Sequence, residues 1–293
     1  MAFLAIDREV HGLTPGRIRG PSLEHPFNGV RSVDVDLTTL LGRCRAYEPR
    51  LQDGQVFSHA TAAGLWGMPL PWGVGDDIHV SAVGTQGRPR TPGATGHRIR
   101  ADTALAVVHG FPVVSVAAAW CQLAGLVHPS DLVAAGDYLV SGERLPGGSR
   151  TTPACSLEQL ARMAERYRGS RGARSITMAL PRIRTFVDSP METLTRLVIV
   201  GAGFPEPETG AAILVDGGRL TLHPDLYWRD CRSALEYEGD GHLDPVQFRR
   251  DILRRELFEA AGHHVIRVTS HDLFVDRAGF FRRLRESRRT RGA

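Results

Sequence analysis

The sequence predicts a mixed α/β (α+β) fold whose last third runs helix, three strands, helix, strand. Two observations carry this. From Met191 to Thr269, apolar residues recur first at helical spacing, then in short strand-like runs, then at helical spacing again, then in one more run. Turns bearing glycine and proline separate those runs, and residues 1–145 alternate short strands and helices in the same manner.

In the front part, Ser58 or His59 leads into a short helix, and 77–81 alternates like a strand. Residues 110–115 lead into a helix over 116–126, and Pro129-Ser130-Asp131 starts another over 132–140. The turn-rich stretch 144–153 separates two regions. The expected domains are 1–145, mixed α/β and able to bind DNA or a partner; 146–188, a helical linker; and 189–293. Ser156 and Gln159 make a capping box at the start of a linker helix, and a second short helix is expected over 172–183.

The chain has 293 residues, enough for two domains. With 42% hydrophobic and 23% charged residues it reads as globular and soluble. No apolar run approaches the ~20 residues that span a bilayer. The start, Met1-Ala2-Phe3-Leu4-Ala5-Ile6-Asp7, is too short and too soon acidic for a signal peptide. The cytoplasm is therefore expected, with no membrane partner. Cys44, Cys121, Cys155 and Cys231 lack CxxC spacing and read as buried thiols. His59, His79, His97 and His109 fall on separate predicted elements without ligand spacing, and read as ordinary surface or partly buried histidines.

All 36 basic residues are arginine, which excludes any mechanism that needs a catalytic lysine. The net charge is +4, and from Asp244 onward 12 arginines stand against 7 acids. The tail over 282–291 is mostly positive; it reads as a phosphate-binding segment or as a solvated helix end.

Ser189-Pro190-Met191-Glu192 is a helix start, with Ser189 as cap and Pro190 in the first turn. A capping role alone accounts for Glu192. An apolar strand over 211–215 is expected to turn at Asp216-Gly217-Gly218 and return as a long strand over 219–228. Pro224 marks a bend in that strand, which can aim Asp225 out of the sheet. Residues 233–238 form the third strand, with Ala234, Glu236 and Glu238 on one face and Leu235 and Tyr237 on the other. Two glutamates on one face of a central strand are costly to bury without a cation. Asp225 and Glu236 lie close enough in sequence for adjacent antiparallel strands to join their carboxylates. A hard cation would take both, with the Tyr237 carbonyl as a third ligand.

Gly239-Asp240-Gly241-His242 turns sharply, and His242 has the pKa to move a proton near neutrality. Asp244 caps a helix over 245–261 on which Gln247, Asp251, Arg254 and Phe258 share a face. There Asp251 and Arg254 can pair, and a solvated, salt-bridged face explains them equally well. Gly262 ends that helix, and 264–269 is the last core strand.

Taken in order, Glu192, Pro224-Asp225, Glu236-x-Glu238-Gly239, His242, Gln247, Asp251-x-x-Arg254 and the terminal strand resemble the PD-(D/E)XK nuclease superfamily, in particular its branch similar to the very-short-patch repair (Vsr) endonucleases. The resemblance covers about residues 189–275. It implies a restriction-endonuclease-like αβββαβ core, metal-dependent hydrolysis of DNA phosphodiester bonds, Mg2+ (or Mn2+) as cofactor and DNA as partner. It implies Asp225, Glu236 and Glu192 as metal ligands, with Glu238 and His242 as further catalytic groups. The family's usual lysine would stand at Glu238; an acid there with a following histidine matches the variant pattern of this branch. Gln247, Arg254, Arg282 and Arg283 are the expected nucleic-acid contacts.

The front part resembles the N-terminal portion of actinobacterial proteins that carry such a C-terminus and, more distantly, AbiEi-type antitoxin regulators. That resemblance implies the alternative function, a non-catalytic DNA-binding regulator with a degenerate nuclease fold. No helix-turn-helix is legible: Pro15 and Gly16 break the segment 12–19. The sequence names no protein partner or toxin.

Overall fold

The structure, a computed structural model, describes residues 1–85, 87–239 and 245–291, with the side chains of all of these but 245–248. The chain divides into two compact units. One comprises Met1–Ala135 and Ala154–Arg182; the other comprises Gly136–Pro153 and Ile183–Ala293. The mixed α/β class expected from sequence is what is observed.

The first unit opens with β1 (Ala2–Leu4) paired antiparallel to β2 (Val30–Ser32), then α1 (Leu40–Tyr47). There follow β3 (Gln55–Phe57), α2 (His59–Leu65), β4 (Ile78–Val83), β5 (Ala94–Ile99), β6 (Leu105–Val108), β7 (Phe111–Val114) and α3 (Val116–Leu123). The five strands β3–β7 form one mixed sheet in the order β5-β4-β3-β7-β6. Val56, Phe57, Ile78, Val80, Val113 and Val114 are buried on it, and α2 packs on both β4 and α3. Fully burying each such side chain contributes roughly 1.5–3 kcal/mol. Trp120 of α3 is fully buried, and its indole N–H donates to the Leu132 carbonyl at 2.9 Å.

Helix α4 (Pro129–Ser141) holds the point where one unit gives way to the other. Next come α5 (Leu157–Arg166), with the expected Ser156–Gln159 capping box in place, and α6 (Ala173–Ala179). These helices correct the expected boundary at 145 and the linker over 146–188. Helix α5 packs on α3, and Leu160, Ile176 and Ala179 are buried, so both helices belong to the first unit. Residues 136–153 belong to the second. An amphipathic helix reveals that it must bury a stripe; it does not reveal against what.

The second unit contains α7 (Pro190–Gly201), β8 (Glu208–Thr209), β9 (Ile213–Val215), β10 (Leu220–Leu222), β11 (Leu226–Trp228), β12 (Ser233–Glu238), α8 (Pro245–Ala260), β13 (His264–Thr269), α9 (Ser270–Phe274) and α10 (Arg277–Thr290). The long strand expected over 219–228 is interrupted at His223-Pro224-Asp225. β10 pairs with β9 as a separate hairpin, closed through Gly217 and Gly218 at positive φ. β11 instead joins a four-stranded sheet in the order β13-β12-β11-β8. Proline cannot donate to a ladder, so the strand breaks there and its halves enter different sheets. β8 has no counterpart in the sequence reading.

β11 and β12 are antiparallel, whereas β12 and β13 are parallel and joined through α8, as a parallel pair requires a crossover. Leu226, Trp228, Leu235, Ile266 and Val268 share one core with Ile199 of α7, Leu273 of α9, and Phe280 and Leu284 of α10. Tyr227, Ala234 and Val265 share a second core with Phe258 of α8 and the β9–β10 hairpin. The alternation expected in β12 is therefore present. Among the described residues no helix is long and apolar enough to cross a membrane.

Candidate functional site

The N-terminus of α7 supplies the first acid. Ser189 Oγ accepts from the Glu192 N–H at 3.2 Å, which caps the helix. Glu192 folds back and accepts the Asp188 N–H on Oε2 at 3.0 Å. The side chain thus closes the helix start through the residue before the cap rather than through Ser189 itself, and from a buried position, 5% exposed. A surface capping glutamate needs no such burial.

The β10–β11 break supplies the second acid. Pro224 ends one pairing, and Asp225 turns so that its Oδ2 accepts the Tyr237 N–H at 2.7 Å. The register pairs Leu226 with Leu235, so one step further Asp225 stands opposite Glu236. The expected juxtaposition of Asp225 and Glu236 is present. Glu236 is engaged by α8: Arg254 Nε donates to its Oε1 at 2.7 Å, and the same guanidinium donates to the His223 carbonyl. Arg254 also lies over the Phe258 ring, with Cζ 5.4 Å from the centroid.

The charges explain the titration behaviour. Burial pushes the Glu192 carboxyl up, to about 8, and the acidic charges of Asp225 and Asp188 push it the same way. Burial also pushes Asp225 up, to about 6; the Tyr237 N–H opposes this, Glu236 adds to it and Arg254 opposes it. The buried Glu192 of α7 and the half-buried Asp225 of the β-break therefore hold their protons to higher pH than surface acids do. Such a pair can share a proton, or it can release its protons to a cation.

Glu238 has a partner of its own. It forms an ion pair with Arg267 of β13, one strand away from Asp225. The charges acting most strongly on Asp225 are those of Glu236, Arg254 and Asp188. An arginine on the neighbouring parallel strand satisfies Glu238, and that strand's register was not legible in the sequence. His242 lies outside the described residues, as does the side chain of Gln247.

The tail is helical. Residues 277–290 form α10, whose Leu284 and Arg288 are buried. Arg288 pairs with Asp230 at 2.6 Å, and Arg283 pairs with Asp272 at 2.7 Å. Arg282 is exposed. Arg288 is packed into the fold, which a charge count cannot distinguish from a free basic group, whereas Arg283 remains exposed beside Asp272.

Sequence reading missed Asp188, Arg144 and Arg150. Asp188 binds Arg144 at 2.6 Å and also Arg150, while its N–H holds Glu192. The available signal was an acid directly before a helix cap. It also missed the association of His59, His79 and His97, which were expected to be unrelated. Their ligand atoms lie within 4.8 Å of one another, because β4 and β5 pair in parallel and α2 starts beside them. His109 stands apart from this set, in the turn between β6 and β7.

No family model matches the chain. It is 28% identical over 237 residues to two uncharacterized proteins of Mycobacterium tuberculosis, one from strain CDC 1551 / Oshkosh and one from strain H37Rv; the alignment covers 80% of this chain and 81% of each relative. Among solved structures it is similar to the RV2827C protein from Mycobacterium tuberculosis, with a TM-score of 0.38 and 18% identity, over 75% of this chain and 86% of that one.

Proposed function

We propose that the second unit is a Mg2+- or Mn2+-dependent DNA endonuclease of the type the sequence resembles, hydrolysing phosphodiester bonds in the cytoplasm. One observation carries the reading: a buried Glu192 and a half-buried Asp225 are brought together from two elements, and the charges acting on Glu192 are acidic. Burying two carboxylates without compensation is unfavourable by several kcal/mol in general, so the pair is built either to stay protonated or to meet a cation.

The donor set fits a hard cation. Glu192, Asp225 and Glu236 offer carboxylate oxygens, which suit Mg2+ and Mn2+. When bound there, the ion supplies positive charge against the phosphate and lowers the pKa of a water. The protein's own groups do the rest. Arg254, fixed by Glu236, the His223 carbonyl and the Phe258 ring, places a guanidinium where Asp225 and Glu236 meet. A guanidinium in that position can bind a phosphate oxygen and offset the charge that builds up on it. Arg144 and Arg150, held by Asp188, add two further cations for the DNA backbone.

The test is nicking of supercoiled plasmid with Mg2+ or Mn2+, with a chelator arm. The reading expects nicks only with the metal. DNA binding without metal-dependent nicking would support the regulator of antitoxin type in its place.

A further inference from the structure

We propose that His59, His79 and His97 form a transition-metal site in the first unit, three imidazoles from three elements with a fourth position open to a cavity. The inference is independent of the nuclease reading and concerns different residues in a different unit.

Four observations meet there. His79 Nδ1 and His97 Nε2 are 2.9 Å apart, and the ligand atoms of all three rings lie within 4.8 Å of one another. Around a tetrahedral zinc with bonds near 2.0 Å, ligand nitrogens stand about 3.3 Å apart, so the His79–His97 pair is near that spacing and the His59 nitrogen is within reach of it. His59 holds a left-handed backbone, φ 51°, which L side chains rarely adopt. Its N–H is fixed by Oε1 of the buried Gln122 at 2.9 Å, and Gln122 is held in turn by the Tyr167 hydroxyl at 3.1 Å. A strained residue pinned by a polar network is a feature of functional sites.

His59 Nδ1 is 3.0 Å from Ser58 Oγ, which Ser81 Oγ also contacts at 2.7 Å. A proton on Nδ1 directed to Ser58 leaves the Nε2 lone pair for a metal, the usual way an outer partner sets the tautomer. Finally, His59 and His97 line a cavity of about 360 Å3 with Arg98, Arg171, Gln122 and Tyr167. Three protein ligands beside open space is the arrangement of a site that keeps one position for water or an anion.

Imidazole binds a metal as the neutral ring, and burial disfavours the charged form of such a ring. The His59 and His97 rings are stacked, with centroids 3.6 Å apart, and their in-plane lone pairs run side by side. Ligation therefore takes a turn of the His59 ring about its Cβ–Cγ bond, and the adjoining cavity gives it room. Each neutral ring keeps its one proton on the outer nitrogen, so binding needs a tautomer change between His79 and His97 and no proton release. Imidazole donors select Zn2+, Cu2+, Ni2+ and Co2+ over Mg2+ or Ca2+.

The experiment uses the full chain, stripped with a chelator and titrated with Co2+ and then Zn2+. It is run in parallel on the Asp225→Ala chain, which lacks the acid site. Both should bind one equivalent that carries a tetrahedral Co2+ visible band and that Zn2+ displaces; the parent's carboxylate site, with oxygen donors, adds no such band. Ser58→Ala should weaken Zn2+ binding about 10- to 100-fold, and His97→Gln by at least about 100-fold with loss of the band, since a ligand matters more than its outer partner. Circular dichroism establishes that the variants fold. Absence of both the band and bound Zn2+ in the unsubstituted chain overturns the proposal, as does a folded His97→Gln chain that binds Zn2+ as tightly as its parent.

Discussion

Arg254 of α8 and Glu236 of β12 form an ion pair at 2.7 Å, and through it the crossover helix is tied to the strand that faces Asp225. The pair places a permanent cation beside the acids and engages Oε1 of Glu236, so that Arg254 competes with a metal ion for that carboxylate. Arg254→Ala should lower single-turnover cleavage by about 100-fold or more, the cost of losing one preorganised donor to transition-state charge. Mg2+ should bind at least as tightly, because a competing cation has gone. Unchanged cleavage would reduce Arg254 to a structural tie.

Asp137 is fully buried and binds Arg196 at 2.9 Å, the Thr193 hydroxyl at 2.7 Å and the Arg184 N–H at 2.7 Å. Arg196 is itself 1% exposed. Removing Asp137 takes from the buried Arg196 its buried carboxylate, leaves it paired with the partly exposed Glu206 at 3.0 Å, and strips the Thr193 hydroxyl and the Arg184 N–H of this acceptor. Asp137→Ala should therefore cost roughly 3–5 kcal/mol, read as a lower urea midpoint. A loss under about 1 kcal/mol, the scale of exposed pairs, would contradict the network's role.

Stability should depend on pH through Glu192 and Asp225. The folded chain keeps the Glu192 proton to about pH 8 and the Asp225 proton to about pH 6, whereas the unfolded carboxyls lose theirs in the ordinary carboxylate range. Between those limits the folded state binds more protons, so stability falls as pH rises and the loss is complete above about 8. Glu192→Gln should flatten the upper part of that slope in denaturant melts at low salt without metal. An equal slope in both chains would place Glu192 in an ordinary solvated state.

Helix α10 separates structural from DNA-binding arginine. Arg288→Ala should lower the melting temperature, since Arg288 is buried against Asp230 and lies over Trp228. Arg282→Ala should leave the melt unchanged and reduce the salt slope of DNA binding by about 0.9, the value for one phosphate contact. A slope identical to the parent's would remove Arg282 from the interface.

Much of the acid site was legible because it is local or periodic. Ser189 and Glu192 announce a helix start, Pro224 announces a break, and the alternation of Ala234, Leu235 and Glu236 assigns faces. What was not legible depends on register and on long-range packing. Glu238 is paired to Arg267 by the parallel alignment of β12 and β13, 29 residues apart in the chain. Asp137 and Arg196 are 59 residues apart. His59, His79 and His97 share no spacing motif, because a sheet and a helix start bring them together. The exchange of residues 136–153 and 154–182 between units is likewise a matter of which core each segment fills.

The most direct test is a thermal melt with and without Mg2+ on the parent chain and on Asp225→Ala. Above about pH 8, where both acids are ionised, the pair repels itself when no cation is bound, so there the Asp225→Ala chain should melt at or above its parent without metal. Added Mg2+ should raise the parent's melting temperature by mass action and leave that of Asp225→Ala unmoved. A parent chain that Mg2+ does not shift, with Asp225→Ala melting lower than it, would contradict the account: Asp225 would then be a structural acid and no cation site would exist there.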